Sequence, residues 1–265
     1  ASTTTANQIK YWVWNGTSWV VDGYTYTFTT IDSNIDWVRM ASQPGTNQVA
    51  LVVVDNRSDV VGLIWDGNVN SWGNEKKLGT ATTYDPEAIA VEYMQASTNA
   101  GQALFVWGQS TTLYSWTWTG TAWEGAAAKS KAGLSGNIRW ISLAADPSSD
   151  DMVVALWNEA NDLQTVNWTG SAWGNIQSPE ATSLYGGYFD HKPFDVIFES
   201  SGSHAILVYT DNNGLVYRHT SNITAAWDGI SSYVGDLGKI HCGEHKIDWS
   251  SLLFPACKPK ANQIV

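Results

Sequence analysis

Charge is what this chain has least of. Asp, Glu, Lys and Arg make up 15% of its 265 residues, and Lys and Arg together number 14. About a quarter is usual for a globular domain. The polar surface must therefore come from Ser, Thr, Asn, Gln and Gly, a composition that favours turns and strands over helices. Few bases and a net charge of −11 exclude nucleic acid as a partner, because phosphate contacts need clustered Lys and Arg. No run of about 18 apolar residues occurs, so no membrane insertion is expected. No signal peptide is visible, since Ala1-Ser2-Thr3-Thr4-Thr5 is already polar; an exported chain would be a mature or trimmed form. Nucleophile and phosphate motifs are missing too: there is no G-x-S-x-G and no Gly-rich phosphate loop.

Cysteine is nearly absent. Cys242 and Cys257 lie 15 residues apart, bracket one predicted strand and are expected to form a disulfide in an oxidising, extracellular compartment. Such a loop contributes about 3 kcal/mol in the chain-entropy model; two buried free thiols are the alternative. Residues 239–265 carry Lys239, Lys246, Lys258 and Lys260 against Glu244 and Asp248, a local +2 that leaves −13 on the rest. A basic tail on an acidic body suits either a solvated end or a contact with its own body or another copy. Sequons at Asn15, Asn56, Asn167 and Asn222 permit glycosylation without arguing for it.

What the chain has in excess is Trp, 16 residues, and 43% of all residues are hydrophobic, enough for a large core. The Trp residues recur. Trp14-Asn15-Gly16-Thr17-Ser18-Trp19 is followed by Trp65-Asp66-Gly67 leading to Trp72, by Trp118-Thr119-Gly120-Thr121-Ala122-Trp123 and by Trp168-Thr169-Gly170-Ser171-Ala172-Trp173. A degenerate fifth copy runs from Tyr217 to Trp227. Successive starts are 51, 53, 50 and 49 residues apart. Gly supplies the positive φ of a tight hairpin, and the flanking Trp residues fall on its two arms.

Each unit opens with a strand such as Ile35-Asp36-Trp37-Val38, Ile89-Ala90-Val91-Glu92, Ile138-Arg139-Trp140-Ile141, Phe194-Asp195-Val196-Ile197 or Ile247-Asp248-Trp249-Ser250. A strongly apolar second strand follows, as in Val49–Asp55, Ala103–Trp107, Met152–Trp157 and Ala205–Thr210. Four strands in about 50 residues are the proportions of a propeller blade. The expected fold is all-β: a five-bladed β-propeller of four-stranded antiparallel blades in one domain. Units span approximately 1–34, 35–88, 89–137, 138–190 and 191–240, and residues 241–265 complete the blade begun by 1–34. Closure by strands from both termini removes the open sheet edge; a slice of a longer array is the competing explanation.

These Trp- and Gly-rich hairpins on a 50-residue period resemble the five-bladed lectins of the tachylectin type. They are also similar to the Trp-rich repeat regions of large microbial surface proteins. The resemblance spans the chain, is architectural, and transfers no binding residue; the S-x-D-x-G box of sialidase propellers is absent.

Candidate chemistry reduces to four sets of residues. Asp36, Asp195 and Asp248, with Arg139, occupy what reads as one row on the innermost strands. A repeated row of acids points to a duplicated structural position, since catalytic acid and base need unlike environments. It could line a channel holding a structural cation; no cofactor is otherwise expected. His241-Cys242-Gly243-Glu244-His245 matches H-x-x-E-H, but the helix that such zinc chemistry needs is not expected around Gly243, so no metal ligand is assigned. The loops Asp55–Asp59 and Asp211–Gly214 lack calcium-loop spacing and read as turns. The hairpin aromatics are the binding candidates: Trp14, Trp19, Trp65, Trp72, Trp118, Trp123, Trp168, Trp173 and Trp227. Their rings could stack on sugars, although packing between blades accounts for most of them. The expectation is a non-catalytic extracellular module whose partners are glycans or other surface proteins, including copies of itself. A structural subunit of a cell-surface filament and a glycoside hydrolase are the alternatives.

Overall fold

A computed structural model describes residues 6–20, 23–82, 87–95, 101–180, 192–200, 204–211 and 214–228. All lie in the first of two compact units, Ala1–Tyr233. The second unit, Val234–Val265, lies outside the described residues, and with it Asp248, Cys242, Cys257 and the strands expected to close the array.

Among the described residues every regular element is a strand. β1 (Gln8–Tyr11) pairs with β2 (Tyr24–Thr27). Three four-stranded antiparallel sheets follow. The first contains β3 (Ile35–Ser42), β4 (Gln48–Asp55), β5 (Asp59–Asp66) and β6 (Ser71–Thr80). The next contains β7 (Ile89–Tyr93), β8 (Ala103–Gln109), β9 (Thr112–Trp118) and β10 (Lys129–Lys131). The third contains β11 (Ile138–Ala145), β12 (Asp151–Asn158), β13 (Leu163–Thr169) and β14 (Trp173–Glu180). A three-stranded sheet of β15 (Phe194–Phe198), β16 (Ala205–Asp211) and β17 (Gly214–Thr220) ends the series.

The second strand of each sheet is continuously apolar because both of its faces are covered. In β4, Leu51 and Val53 pack towards the β1–β2 sheet with Phe28 and Ile31. Ala50, Val52 and Val54 point the other way, towards Phe105, Trp107 and Trp118. The same sandwiching repeats between the second and third four-stranded sheets and between the third and the last. Buried on two sides, such a strand reads as an unbroken apolar run. The turns that follow are built alike. Asp55 Oδ1 accepts from the amides of Arg57 and Asp59, and Asn158 Oδ1 from those of Ala160 and Asp162. Three residues on, Ser58 and Asn161 both take positive φ, at 67° and 64°.

First strands of successive sheets lie side by side: β3 against β7, β7 against β11, and β11 against β15. Trp37 and Trp140, two sheets apart, meet edge to face at 5.6 Å.

Strand register corrects the row of inner-strand charges. Val38, Ile89, Ile141 and Phe194 oppose Val53, Trp107, Leu156 and Tyr209 of their second strands, so these four are equivalent. Asp36 and Arg139 both sit in a register break, between Ile35 and Trp37 and between Ile138 and Trp140. Asp195 does not belong with them: it opposes Val208, in the row of Arg39, Ala90 and Ser142. Resemblance between Ile-Asp-Trp and Phe-Asp-Val hid a three-residue offset. Asp195 accordingly bonds Ser142 of its neighbouring sheet and lies 3.5 Å from Lys192, while Arg139 pairs with Glu159 and Arg39 with Glu87. Burial raises the Glu87 pKa despite the opposing pull of Arg39.

The two-stranded sheet is clasped to its neighbour by one carboxylate. Glu75 on β6 accepts from the amides of Thr29 and Thr30 at 2.8 and 2.7 Å, from Thr30 Oγ1 at 2.6 Å and from Tyr26 Oη at 2.8 Å. Burial alone would raise its pKa, but the bonds from Thr30, Tyr26 and Thr29 outweigh burial and hold it below 4.5. A depressed pKa stabilises the fold above the ordinary value and is lost as pH falls through the folded value. Glu75→Gln is expected to lower stability by about 1–2 kcal/mol, allowing for solvent screening of a half-exposed group. Its effect should shrink below pH 4.5, as denaturation midpoints across pH will read.

Candidate functional site

The hairpins form as the Gly spacing predicts. Gly16, Gly120 and Gly170 take φ of 97°, 94° and 78°, and Asn15, Thr119 and Thr169 donate their amides to the carbonyls of Ser18, Ala122 and Ala172. The flanking indoles face each other across the arms. Trp14–Trp19, Trp65–Trp72, Trp118–Trp123 and Trp168–Trp173 stand edge to face with centroids 5.6, 5.4, 5.5 and 5.0 Å apart.

The two indoles of a hairpin have different tasks. The second packs on the preceding sheet, always on the residue three places before that sheet's first hairpin Trp. Trp72 meets Tyr11 edge-on at 6.0 Å. Trp123 covers Gly62 so closely that an added Cβ would lie 2.5 Å from its ring, and its Nε1 donates to Asn74 O. Trp173 Nε1 donates to Ser115 Oγ at 3.2 Å, and Trp227 Nε1 to Thr165 Oγ1 at 2.8 Å. Each seam between sheets is thus a plug and a socket. Register places Thr220, opposite Ala205, where the other sheets have their first hairpin Trp, opposite Val49, Ala103 and Met152. The fifth hairpin therefore begins at Thr220 rather than Tyr217, and Tyr217 is the fifth socket position.

Most candidate rings are consumed by this packing. Trp118, Trp168 and Trp227 are buried, and Trp65, Trp72, Trp123 and Trp173 are partly buried against neighbouring sheets. Trp14 and Trp19, at 52% and 62% exposure, keep open faces, as does Trp12 just before them. Asn167, one of the four sequons, is buried and unavailable for glycosylation.

Opposite three of the sockets, on the fourth strand, stands a residue that reaches forward across the seam: Lys76 opposite Gly62, Lys129 opposite Ser115 and Gln177 opposite Thr165. Lys76 Nζ lies 4.0 Å from the Trp116 ring centroid and Lys129 Nζ 5.1 Å from that of Trp168, both as cation–π contacts. Gln177 instead donates through Nε2 to the carbonyls of Ile223 and Ala225. In the position of Trp116, two residues before the first hairpin Trp, the last sheet carries Arg218. A cleft of about 380 Å³ opens there, lined by Gln177, Ser178, Pro179, Arg218, Ala226 and Trp227. Arg218 is held in place: Nε donates to Tyr209 Oη and Nη1 to Asp228 O, each at 3.1 Å. Burial raises the Tyr209 pKa, and Arg218 draws it back. Asp228 is in turn 3.0 Å from His219. Sequence reading missed Arg218 and Gln177, because their relation to the Lys and Trp residues of other seams appears only in strand register. No group of three or more His, Cys, Asp or Glu side chains able to hold a metal occurs among the described residues.

With this geometry in hand, solved structures offer a comparison. The chain is similar to the BP39L lectin from Burkholderia pseudomallei, at 14% identity and a TM-score of 0.54 over 72% of this chain and 54% of that one. It is similar also to the fucose-specific lectin from Aleuria aurantia, at 11% identity and a TM-score of 0.52 over 84% of this chain and 70% of that one. The fold is a β-propeller. The Aleuria lectin has six blades, and this chain spans about half the length of the Burkholderia lectin. No family model matches the sequence, and no curated protein matches it.

Seam chemistry sets the expected effect of substitution. Gly62→Ala should cost about 1–3 kcal/mol by forcing the Trp123 ring out of its socket. Thr165→Val, which leaves the buried Trp227 Nε1 without its acceptor, should cost about 1–3 kcal/mol. Urea midpoints of the two variants against the parent chain provide the measurement.

Proposed function

We propose that this chain is a non-catalytic carbohydrate-binding propeller and that its ligand site is the cleft between β14 and the fifth hairpin. The observation that carries this reading is the composition of that cleft. An indole edge, Pro179 and Ala226 offer an apolar wall, while Arg218 and Ser178 offer polar groups beside it. Concave sites lined this way suit small ligands with one apolar face and a few fixed polar groups. Fucose specificity of the Aleuria lectin is a property of that protein; its fold supports a sugar ligand of some kind here. Catalysis is not part of the proposal: Asp36 and Asp195 stand in different rows, and Asp195 is engaged by Ser142 and Lys192. An extracellular setting, a Cys242–Cys257 disulfide and an adhesive role belong to the same proposal.

The first hairpin supports a finer statement about architecture. Trp19 is a plug in sequence and geometry, yet it is 62% exposed, whereas Trp72, Trp123, Trp173 and Trp227 are seated. Val38 and Met40 on β3 and Ile197 on β15 are exposed as well, at the two ends of the series. We propose that the array closes on itself as five blades, with residues 241–265 completing the blade begun by β1 and β2 and Trp19 seated on the fifth sheet. A filament of copies would seat Trp19 on another chain instead.

Two measurements test these statements. On a glycan array, saturable binding should fall about 10- to 100-fold in Arg218→Ala, the range of hydrogen bonds to a charged group, and stay unchanged in Lys76→Gln; silence across all sugars would sink the reading. In sedimentation over a hundredfold concentration range, a constant monomer supports closure. Growth that Trp19→Ala abolishes would support the filament.

A further inference from the structure

We infer that the cleft at Arg218 selects a sugar bearing a carboxylate, of the uronic or sialic type, over a neutral one. This inference rests on the carbohydrate-binding reading above and adds the charge of the ligand to it.

Arg218 is a donor without acceptor capacity. Its Nε and Nη1 are engaged by Tyr209 Oη and Asp228 O, and its Nη2 has no hydrogen bond among the described residues. Gln177 spends its Nε2 on the carbonyls of Ile223 and Ala225, and its Oε1 is buried without a hydrogen-bond partner among the described residues, too enclosed to meet a ring hydroxyl at the surface. No Asp or Glu lines the cleft; apart from Ser178 the remaining side chains, Pro179, Ala226 and Trp227, offer no acceptor. A neutral sugar presents hydroxyls that donate as well as accept, and the side chains of this wall offer those protons few acceptors, a mismatch that costs binding energy. A carboxylate only accepts. It matches a pinned guanidinium edge in charge and geometry, and charge-assisted bonds of this kind are about twice as strong as neutral ones.

Comparison of the seams explains why the cleft occurs here. Where the reaching residue is Lys76, the facing position is Trp116, and the ammonium covers the ring. A Lys at 177 would face Arg218 with like charge. The neutral Gln177 instead tethers the hairpin floor and leaves the guanidinium to a ligand. Since the chain carries −11 overall, the anion must be attracted locally by Arg218 rather than by the general field.

Methyl β-D-glucuronide and methyl β-D-glucoside share a ring and differ at the C6 carboxylate, so they isolate the charge. Titrated into the full chain by calorimetry, with α-methyl-L-fucoside and sodium sulfate as further arms, the glucuronide should bind at least about tenfold tighter than either neutral glycoside. That preference should vanish in Arg218→Gln and weaken when the parent chain is titrated in about 0.5 M salt, as a screened charge pair must; the salt arm needs no variant to fold. Equal or tighter binding of a neutral glycoside overturns the inference and leaves the carbohydrate reading standing. Sulfate binding as tightly as the glucuronide also overturns it, because the ring would then contribute nothing. No saturable binding by any sugar overturns both.

Discussion

The seating of one indole on the neighbouring sheet is the interaction on which the rest of this structure depends. A four-stranded sheet is too small to cover both of its own faces, and four repeats here lend their second hairpin Trp to the sheet before them: Trp72, Trp123, Trp173 and Trp227. Aromatic side chains bury the most surface per residue, and an indole can also bond through Nε1 at its edge. The sockets answer both properties. Gly62 yields space to a ring, while Ser115 and Thr165 supply hydroxyl oxygens for the ring nitrogen. Tyr11 presents another ring.

From this follows the placement of the cleft. The plug is Trp in every seated seam, whereas the residues beside it vary. The difference is a change of partners at two register-equivalent positions, Lys76 with Trp116 in one seam and Gln177 with Arg218 in another. Plug and socket are intact in both, so the residues that line the proposed ligand cleft are not the ones that lock the seam. Glu75 shows another use of the fourth strand: its carboxylate, three residues past Trp72, fastens the two-stranded sheet by four donors.

Much of the fold was legible in sequence because its signals are local. W-x-G-x-x-W fixes a hairpin through the φ of one Gly, and the run Val49-Ala50-Leu51-Val52-Val53-Val54 announces a strand covered on both faces. The inner row of charges was legible only in part. Asp36 and Arg139 both precede a Trp, and both sit in the same register break. Asp195 was grouped with them on apolar resemblance, and the hydrogen-bond ladder moves it three residues along. The degenerate hairpin likewise reads from Tyr217, a socket residue, because Thr220 stands where the other repeats have Trp.

By itself the sequence determined the repeat length, the strand count per repeat, the hairpins and the dominance of Trp, all of which are encoded within about 50 consecutive residues. Tertiary structure decided which Trp residues are spent on packing and which ones meet solvent. A side chain's exposure depends on the sheet beside it, and that sheet lies a full repeat away in sequence. The same reason hid Arg218 and Gln177. Neither is unusual in its own strand, and the cleft exists only because stacking brings one in front of the other.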